Sequence, residues 1–366
     1  MQDDNIQLEN KDASEETANA FTGLSLEEIE AWLLEKGFPK YRGKQLVQWL
    51  YEKRVTHWDE MNNVPKELKQ ALVAHFNLFT CKLVNSVKSE DGTIKVLMEW
   101  SDGRLTETVI IPSKKRITVC LSSQVGCPVK CSFCASGLKG LERSLTSGEI
   151  VEQLLLAQRA IGADERVSNI VMMGMGEPLA NYTNVLKAIT TMNAKWGFGI
   201  GARHITVSTV GLPDRIKSLA HEPMQLTLAV SLHAGDEDIR KKIIPWANKF
   251  TIEDIFEAID YFYEVTHREV TLEYILLDGV NTSEQSAHKL ANWAKKSRCN
   301  VNLINYNEVD DMPFKRCSEE KVELFISLLK KRGVNANYRR SRGRDVDAAC
   351  GQLKRRFIQL KTGYKN

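Results

Sequence analysis

The chain has 366 residues, 43% hydrophobic and 27% charged, with a formal net charge of +3. That length can bury a large core and a smaller module besides, and the composition excludes a disordered, collagenous or coiled-coil chain. No apolar run approaches the roughly 18 residues of a membrane span, and the acidic start MQDDNIQLENKDASEET reads as neither a secretory signal nor a transit peptide, so a cytoplasmic protein with no membrane partner is expected.

Residues 1–22 carry no apolar periodicity and read as a disordered leader. Residues 23–78 read as a small helical domain. Ser25 followed by Glu28 is a capping box that opens LEEIEAWLLEKG, and Gly37 stops it. Two further helices run through GKQLVQWLYEKRV and PKELKQALVAHF. Tyr41, Arg42, Lys44, Lys53 and Arg54 surround this module with positive charge. It is either an RNA-binding accessory domain or a packing domain with a solvated face. Residues 79–116 read as a β-rich extension that alternates around turn signals at Asp91-Gly92 and Asp102-Gly103.

From 117 to 345 the pattern changes to strands alternating with helices. The strands are ITVCLSS (117–123), SNIVMMG (168–174), RHITVST (203–209), QLTLAVSLH (225–233), EVTLEYILL (269–277) and NVNLINYN (300–307). Each is apolar on both faces and is followed by a helical pattern, which means parallel pairing and right-handed crossovers. Six such units do not complete an eight-stranded barrel. The expected fold is therefore α/β, an open partial (β/α)6 TIM-like barrel, with chemistry at the C-terminal ends of the strands. Residues 346–366 form a basic tail. From Tyr338 onward nine Lys and Arg stand against two acids, interleaved with Tyr338, Phe357 and Tyr364. That is either a phosphate-binding surface or a solvated terminal helix.

The eight cysteines are 81, 120, 127, 131, 134, 299, 317 and 350. Clustering of this kind in a cytosolic chain points to metal or redox chemistry rather than a disulfide framework. Cys127, Cys131 and Cys134 form a C-x3-C-x2-C motif after the first barrel strand. Three thiolates on one loop suit a [4Fe–4S] cluster with one open iron. Structural zinc, the rival, wants four closed ligands. Small polar residues recur at the other strand ends: Gly174-Met175-Gly176-Glu177-Pro178, Ser208-Thr209-Val210-Gly211, Ser231-Leu232-His233 and Asn305-Tyr306-Asn307. Glycines there let backbone approach a ligand, and Glu177 can accept from an ammonium or from ribose hydroxyls. Cys350 sits in a Gly- and Ala-rich stretch beside four arginines, surroundings that favour thiolate. Cys81, Cys299 and Cys317 read as packing cysteines.

The cysteine motif, Phe133 before its last thiol and the partial barrel resemble the radical S-adenosylmethionine (SAM) enzymes. Together with the other strand-end motifs and RGRDVDAACGQL (342–353), the chain from about residue 25 is similar to the dual-specificity RNA adenine-C2 methyltransferase family usually called RlmN. That resemblance implies one cluster on Cys127, Cys131 and Cys134, with SAM chelating the open iron and two SAM molecules used per turnover. It carries over Gly176, Glu177, Ser208, Ser231, Leu232, His233 and Asn307 as SAM contacts. It makes Cys350 the methyl carrier, Cys120 its resolving partner through a transient disulfide, and Glu107, on an edge-like strand, the proton acceptor. A deoxyadenosyl radical would take a hydrogen from the Cys350 methyl group, and the methylene radical would add to adenine C2. The implied substrates are an adenosine in the peptidyl-transferase region of 23S rRNA and an anticodon-loop adenosine in some tRNAs. An electron donor such as flavodoxin or ferredoxin is implied, and a monomer is expected.

Two alternatives stand beside this reading. The sister antibiotic-resistance enzyme that methylates C8 of the same adenine shares the triad and both further cysteines. Gly176-Glu177-Pro178 and Arg339-Arg340-Ser341-Arg342-Gly343 resemble the C2 enzyme more. The other alternative is a non-catalytic RNA-binding protein with a structural metal site.

Overall fold

The computed structural model describes residues 20–162, 164–309 and 312–353. The leader before residue 20, and the tail with Lys354, Arg355 and Arg356, lie outside the described residues. The helical domain holds α1 (Leu26–Glu35), α2 (Arg42–Tyr51) and α3 (Lys66–His75). Ser25 Oγ accepts from Glu28 N at 3.2 Å while the Glu28 carboxylate accepts from Ser25 N, the reciprocal cap expected from the sequence. Leu33, Leu46, Leu50, Leu68 and Leu72 close the interior of this unit. The expected end of the leader at residue 22 shifts back, because Ala20 bridges Asn77 and Phe21 is 1% exposed. The Phe21 ring meets Trp58 and Phe76 edge-on at 5.0 and 5.7 Å. A single buried aromatic has no period to reveal it.

The helical domain docks on the barrel through groups counted as surface charge in the sequence. Arg54 donates to the carbonyls of Gln158 and Glu165 at 2.9 and 3.0 Å. Lys187 pairs with Glu28 at 2.8 Å, and Tyr51 packs on Phe198.

One ten-stranded sheet organises the rest. β1 (Cys81–Lys88), β2 (Ile94–Trp100), β3 (Leu105–Ser113) and β4 (Arg116–Cys120) form an antiparallel meander. β5 (Gln124–Gly126) and β6 (Leu141–Ser144) make a separate two-stranded ribbon. From β4 the main sheet continues in parallel through β7 (Asn169–Met172), β8 (Ile205–Thr209), β9 (Thr227–Ser231), β10 (Thr271–Leu276) and β11 (Asn300–Asn305). These are the six expected barrel strands. Helices α4 (Ser147–Ala160), α5 (Tyr182–Asn193), α6 (Pro213–Ala220), α7 (Glu237–Ile243), α8 (Ile252–Thr266), α9 (Glu284–Lys296) and α10 (Glu319–Lys331) supply the crossovers and the outer layer. Ile170, Val207, Leu228, Leu272 and Val301 are fully buried under them.

Two features extend the expected barrel. A seventh parallel strand, β12 (Ala336–Arg339), pairs with β11 and brings the chain back to the site. The β-rich extension also joins the barrel sheet itself, so β3 is flanked by β2 and β4. Glu107 therefore stands on an interior strand, which corrects the edge-like placement; β1 is the edge.

Candidate active site

The cysteine loop is folded tightly between β5 and β6. Cys127 N donates to the Gly140 carbonyl at 3.0 Å, Cys134 N to Cys131 O at 3.1 Å and Ser132 N to Ile243 O at 3.0 Å. A Cβ at Gly126 would lie 2.0 Å from Gly140 O, so the loop closes only on glycine. All three thiols line one cavity of about 150 Å3 at the C-terminal ends of the strands. Burial pushes Cys127 up to about 12, with the Cys134 charge adding to the effect, and raises Cys131 and Cys134 as well. Bound iron would reverse this, since a coordinating thiol is deprotonated by the cation it binds. Among the described residues no three His, Cys, Asp or Glu side chains close around a single ion. Three thiols on one loop lining one cavity suit a [4Fe–4S] cluster.

Of the expected SAM contacts, Gly176, Glu177, Ser208, Ser231 and His233 line the same cavity; Asn307 and Leu232 are not in its lining. Gly176 has φ 108°, and a Cβ there would meet Ser123 Oγ at 2.6 Å. Glu177 is buried, and its two oxygens accept from Leu179 N at 3.0 Å and Val210 N at 2.7 Å. The carboxylate also accepts from the Thr209 side chain, which leaves one lone pair for a ligand donor. Burial raises its carboxyl to about 7 against those three bonds. Ser208 and Ser231 stand side by side, Oγ to Oγ at 3.4 Å. His233 has φ 58°, its Nδ1 accepts from Ile275 N at 3.1 Å, and its ring meets Phe133 edge-on. That bond leaves Nε2 as the proton-bearing nitrogen of a neutral ring. Burial, with Arg240 nearby, lowers the ring to about 3. Asn307 donates to the Cys350 carbonyl at 3.2 Å, while its buried Oδ1 has no partner among the described residues. Such an orphan acceptor fits a ligand donor. Leu232 differs from expectation. Its side chain is fully buried in the barrel core and does not line the cavity, and its carbonyl accepts from Arg240 Nε at 3.2 Å.

A second cavity of about 470 Å3 opens beside the first. Cys120 lines it, as do Arg116, Arg339, Arg340 and Arg342. Cys350 lines both cavities. Burial pushes the Cys120 thiol up to about 12, Cys350 adding to this and Arg339 opposing it. Both cysteines are free thiols.

The segment bearing Cys350 is a docked loop rather than a solvated tail. Val346, Ala348, Ala349 and Leu353 are buried, and Val346, Ala348 and Leu353 pack with Val109, Cys120 and Met175. The turn between β1 and β2 straps this loop down. Gly343 N donates to Asp91 Oδ2 at 3.0 Å, and Ser89 Oγ and Glu90 N donate to the Asp345 carboxylate. At the other end Ala135 N, in the cysteine loop, donates to Gly351 O at 2.8 Å.

Sequence reasoning missed three charged residues here. Arg339 sits between Cys350, Cys120 and Glu273, and the Cys350 charge is the main cause that raises it. Glu273 is buried and accepts from Asn302 at 2.8 Å. Lys95 is buried 3.3 Å from Glu107. Alternation along β2 puts Lys95 on the same face as Leu97, and both faces of the strand are buried, so the lysine lies inward.

Comparison with known proteins decides the family. The Ribosomal RNA large subunit methyltransferase N-terminal domain profile matches residues 20–78, and the Radical SAM superfamily profile matches residues 121–291. A probable dual-specificity RNA methyltransferase RlmN of Clostridium perfringens (strain SM101 / Type A) is 44% identical over 338 residues, covering 92% of this chain and 97% of that protein. The chain belongs to the RlmN family. The family's Staphylococcus carnosus (strain TM300) protein is 45% identical over 340 residues, 93% of each chain. A solved structure, a radical SAM methyltransferase from Sphaerobacter thermophilus, superposes with a TM-score of 0.90 at 43% identity, covering 92% of this chain and 99% of that one. The protein is thus a radical SAM methyltransferase of RlmN type, and the superfamily implies a [4Fe–4S] cluster and SAM. No helix among the described residues is long and apolar enough to cross a membrane.

Proposed function

We propose that this enzyme methylates C2 of adenosine in RNA, with Cys350 as the methyl carrier. The observation that carries the reading is that Cys350 lines both cavities: one side faces the cysteine triad and SAM contacts, the other faces Cys120 and the arginines. A carrier must do both, taking the group on one side and giving it on the other. Cys127, Cys131 and Cys134 hold the cluster, and Gly176, Glu177, Ser208, Ser231, His233 and Asn307 hold SAM. When bound, cluster and SAM supply the methyl group for Cys350 and, from a second SAM, the radical that activates it.

The remaining work belongs to the chain. Asn307 fixes the Cys350 backbone at its carbonyl. Once the Cys350 methylene carbon is joined to adenine C2 and the adduct has lost its unpaired electron, for which a bound cluster would be the one-electron acceptor, Glu107 takes the C2 proton. The Cys120 thiol then gives up its proton, which is available to the departing carbon, and its sulfur attacks Cys350 Sγ. The S–S bond forms, the C–S bond breaks, and its electron pair leaves with the carbon, which takes a proton to become the product methyl. The disulfide is reduced before the next turnover.

The arginine-lined cavity admits an unstacked adenine, and Arg116, Arg340 and the helical domain grip phosphates. The substrates are 23S rRNA at the peptidyl-transferase region and the anticodon loop of some tRNAs. The C2 position is favoured over C8 by Gly176-Glu177-Pro178 and the Arg339–Gly343 run. Nucleoside mass spectrometry of a 23S rRNA fragment treated with reconstituted enzyme, SAM and reductant tests this. The 2-methyladenosine product is expected; 8-methyladenosine, or no methylation of RNA at all, would overturn it.

A further inference from the structure

Lys95 occupies a position where lysine is rarely found. It lies on β2 inside the ten-stranded sheet, its side chain 7% exposed. Taking an ammonium out of water is costly unless it is both paired and hydrogen-bonded, and an apolar side chain of similar volume would fill the space without that cost. The lysine is therefore explained by what its charge touches.

It touches two things. Nζ is 3.3 Å from Glu107 Oε1, and it donates to the Asp347 carbonyl at 3.2 Å. Asp347 stands three positions before Cys350 in the docked loop. The sheet register makes the arrangement firm. Lys95 is opposite Val109 across β2 and β3, and Val109 is opposite Cys120 across β3 and β4. Directly opposed residues share a face, and so does Glu107, two positions from Val109. Lys95, Glu107 and Cys120 thus line the one face that the Cys350 loop covers. On the far side Ser122 Oγ donates to the Glu107 carbonyl at 2.7 Å and accepts from Met175 N, so the backbone that bears the acid is held as well.

We propose, resting on the function above, that Lys95 is a positioning residue that sets Glu107 and the Cys350 loop in one frame. Glu107 is buried and lines neither cavity as the loop is docked here; in this proposal its carboxylate is held on the Cys350 side of the sheet to meet the carbon that Cys350 delivers to C2. After the adduct's unpaired electron has been lost, to a bound cluster as one-electron acceptor, the proton passes from C2 to Glu107, the C–H electron pair stays in the ring, and Lys95 keeps its own protons.

The test uses full-length reconstituted enzyme with Lys95→Gln and Lys95→Arg, and RNA carrying hydrogen or deuterium at adenine C2. Lys95→Gln keeps a donor for Asp347 but loses the charge. It should methylate Cys350 at close to the parent rate, read by intact-protein mass spectrometry, while RNA turnover falls by about 100-fold. Proton removal then limits the rate, so deuterium slows the variant more than it slows the parent. Lys95→Arg should recover part of the turnover and part of the lower isotope effect. If Lys95→Gln does not fold, Lys95→Arg still decides, because its displaced charge should raise the isotope effect while sparing Cys350 methylation. Parent-like turnover, an unchanged isotope effect, or methylation that falls in step with turnover would overturn the proposal. A parent enzyme that never methylates Cys350 overturns the underlying function instead, and shows it without any variant.

Discussion

Gly343 opens the loop that carries Cys350, and its backbone sits at φ 65°. A Cβ there would lie 2.8 Å from the Ala348 Cβ and 2.9 Å from Thr93 Cγ2. Gly343→Ala therefore brings two penalties. The left-handed conformation costs roughly 1–2 kcal/mol for an L side chain. Overpacking against Ala348 and Thr93 costs roughly 1–3 kcal/mol more. Both fall on the docked loop and spare the barrel core. A total of about 2 kcal/mol or more shifts the equilibrium between docked and undocked loop by at least about 30-fold, and the methylation of Cys350 falls as the undocked form gains. The assay is the rate of Cys350 methylation by intact-protein mass spectrometry with SAM in excess. Gly333→Ala is the control, since Gly333 is also left-handed at φ 77° but has nothing within 4 Å of its missing Cβ. Parent-rate methylation in Gly343→Ala, or an equal loss in Gly333→Ala, would refute the claim that this loop must be docked to work.

Three further outcomes are expected. Cys134→Ala should lose iron–sulfur absorbance after reconstitution and with it reductive cleavage of SAM; full cluster content in the variant would remove Cys134 from the ligand set. Arg116→Ala and Arg340→Ala, at the mouth of the larger cavity, should each reduce the salt dependence of RNA affinity by about 0.7–0.9 in log–log slope, and an unchanged slope would assign them to solvated surface. Glu152, fully buried among Thr22 and Thr80 donors, has its carboxyl raised by burial to about 7. A raised folded-state value means stability that is present at low pH and lost as pH rises from about 4.5 to about 7. Glu152→Gln avoids that loss, so its stability relative to the parent should climb across this window by up to about 1 kcal/mol per pH unit in denaturant titrations. A flat difference would show that Glu152 is already ionised throughout.

The barrel was legible because buried parallel strands write long apolar runs, and each of the six runs became a strand. β12 was missed because Ala336-Asn337-Tyr338-Arg339 is short and half polar, an edge strand with one solvated side. The cysteine triad was legible from spacing alone, since one loop carries all three thiols and brings them to one cavity. Most strand-end polar residues fell at the cavity because the C-terminal ends of parallel strands point there. Leu232 did not, since alternation turns its side chain away from its neighbours Ser231 and His233. Lys95 and Arg339 were hidden for another reason. Each owes its place to contacts with residues far along the chain, Asp347 for one and Cys120 for the other. A positive charge in the sequence reads as surface until the fold supplies its partner.

If Cys350 carries the methyl group between the two cavities, Cys120 acts only afterwards. The most direct measurement is a denaturing gel of Cys120→Ala protein made with its RNA, SAM and a reductant. Cys120→Ala should still methylate Cys350 and still join C2, then stall, giving a slow-migrating band that nuclease removes. Cys350→Ala should give no such band. Normal turnover of Cys120→Ala without the band would contradict the account, and so would a band in Cys350→Ala.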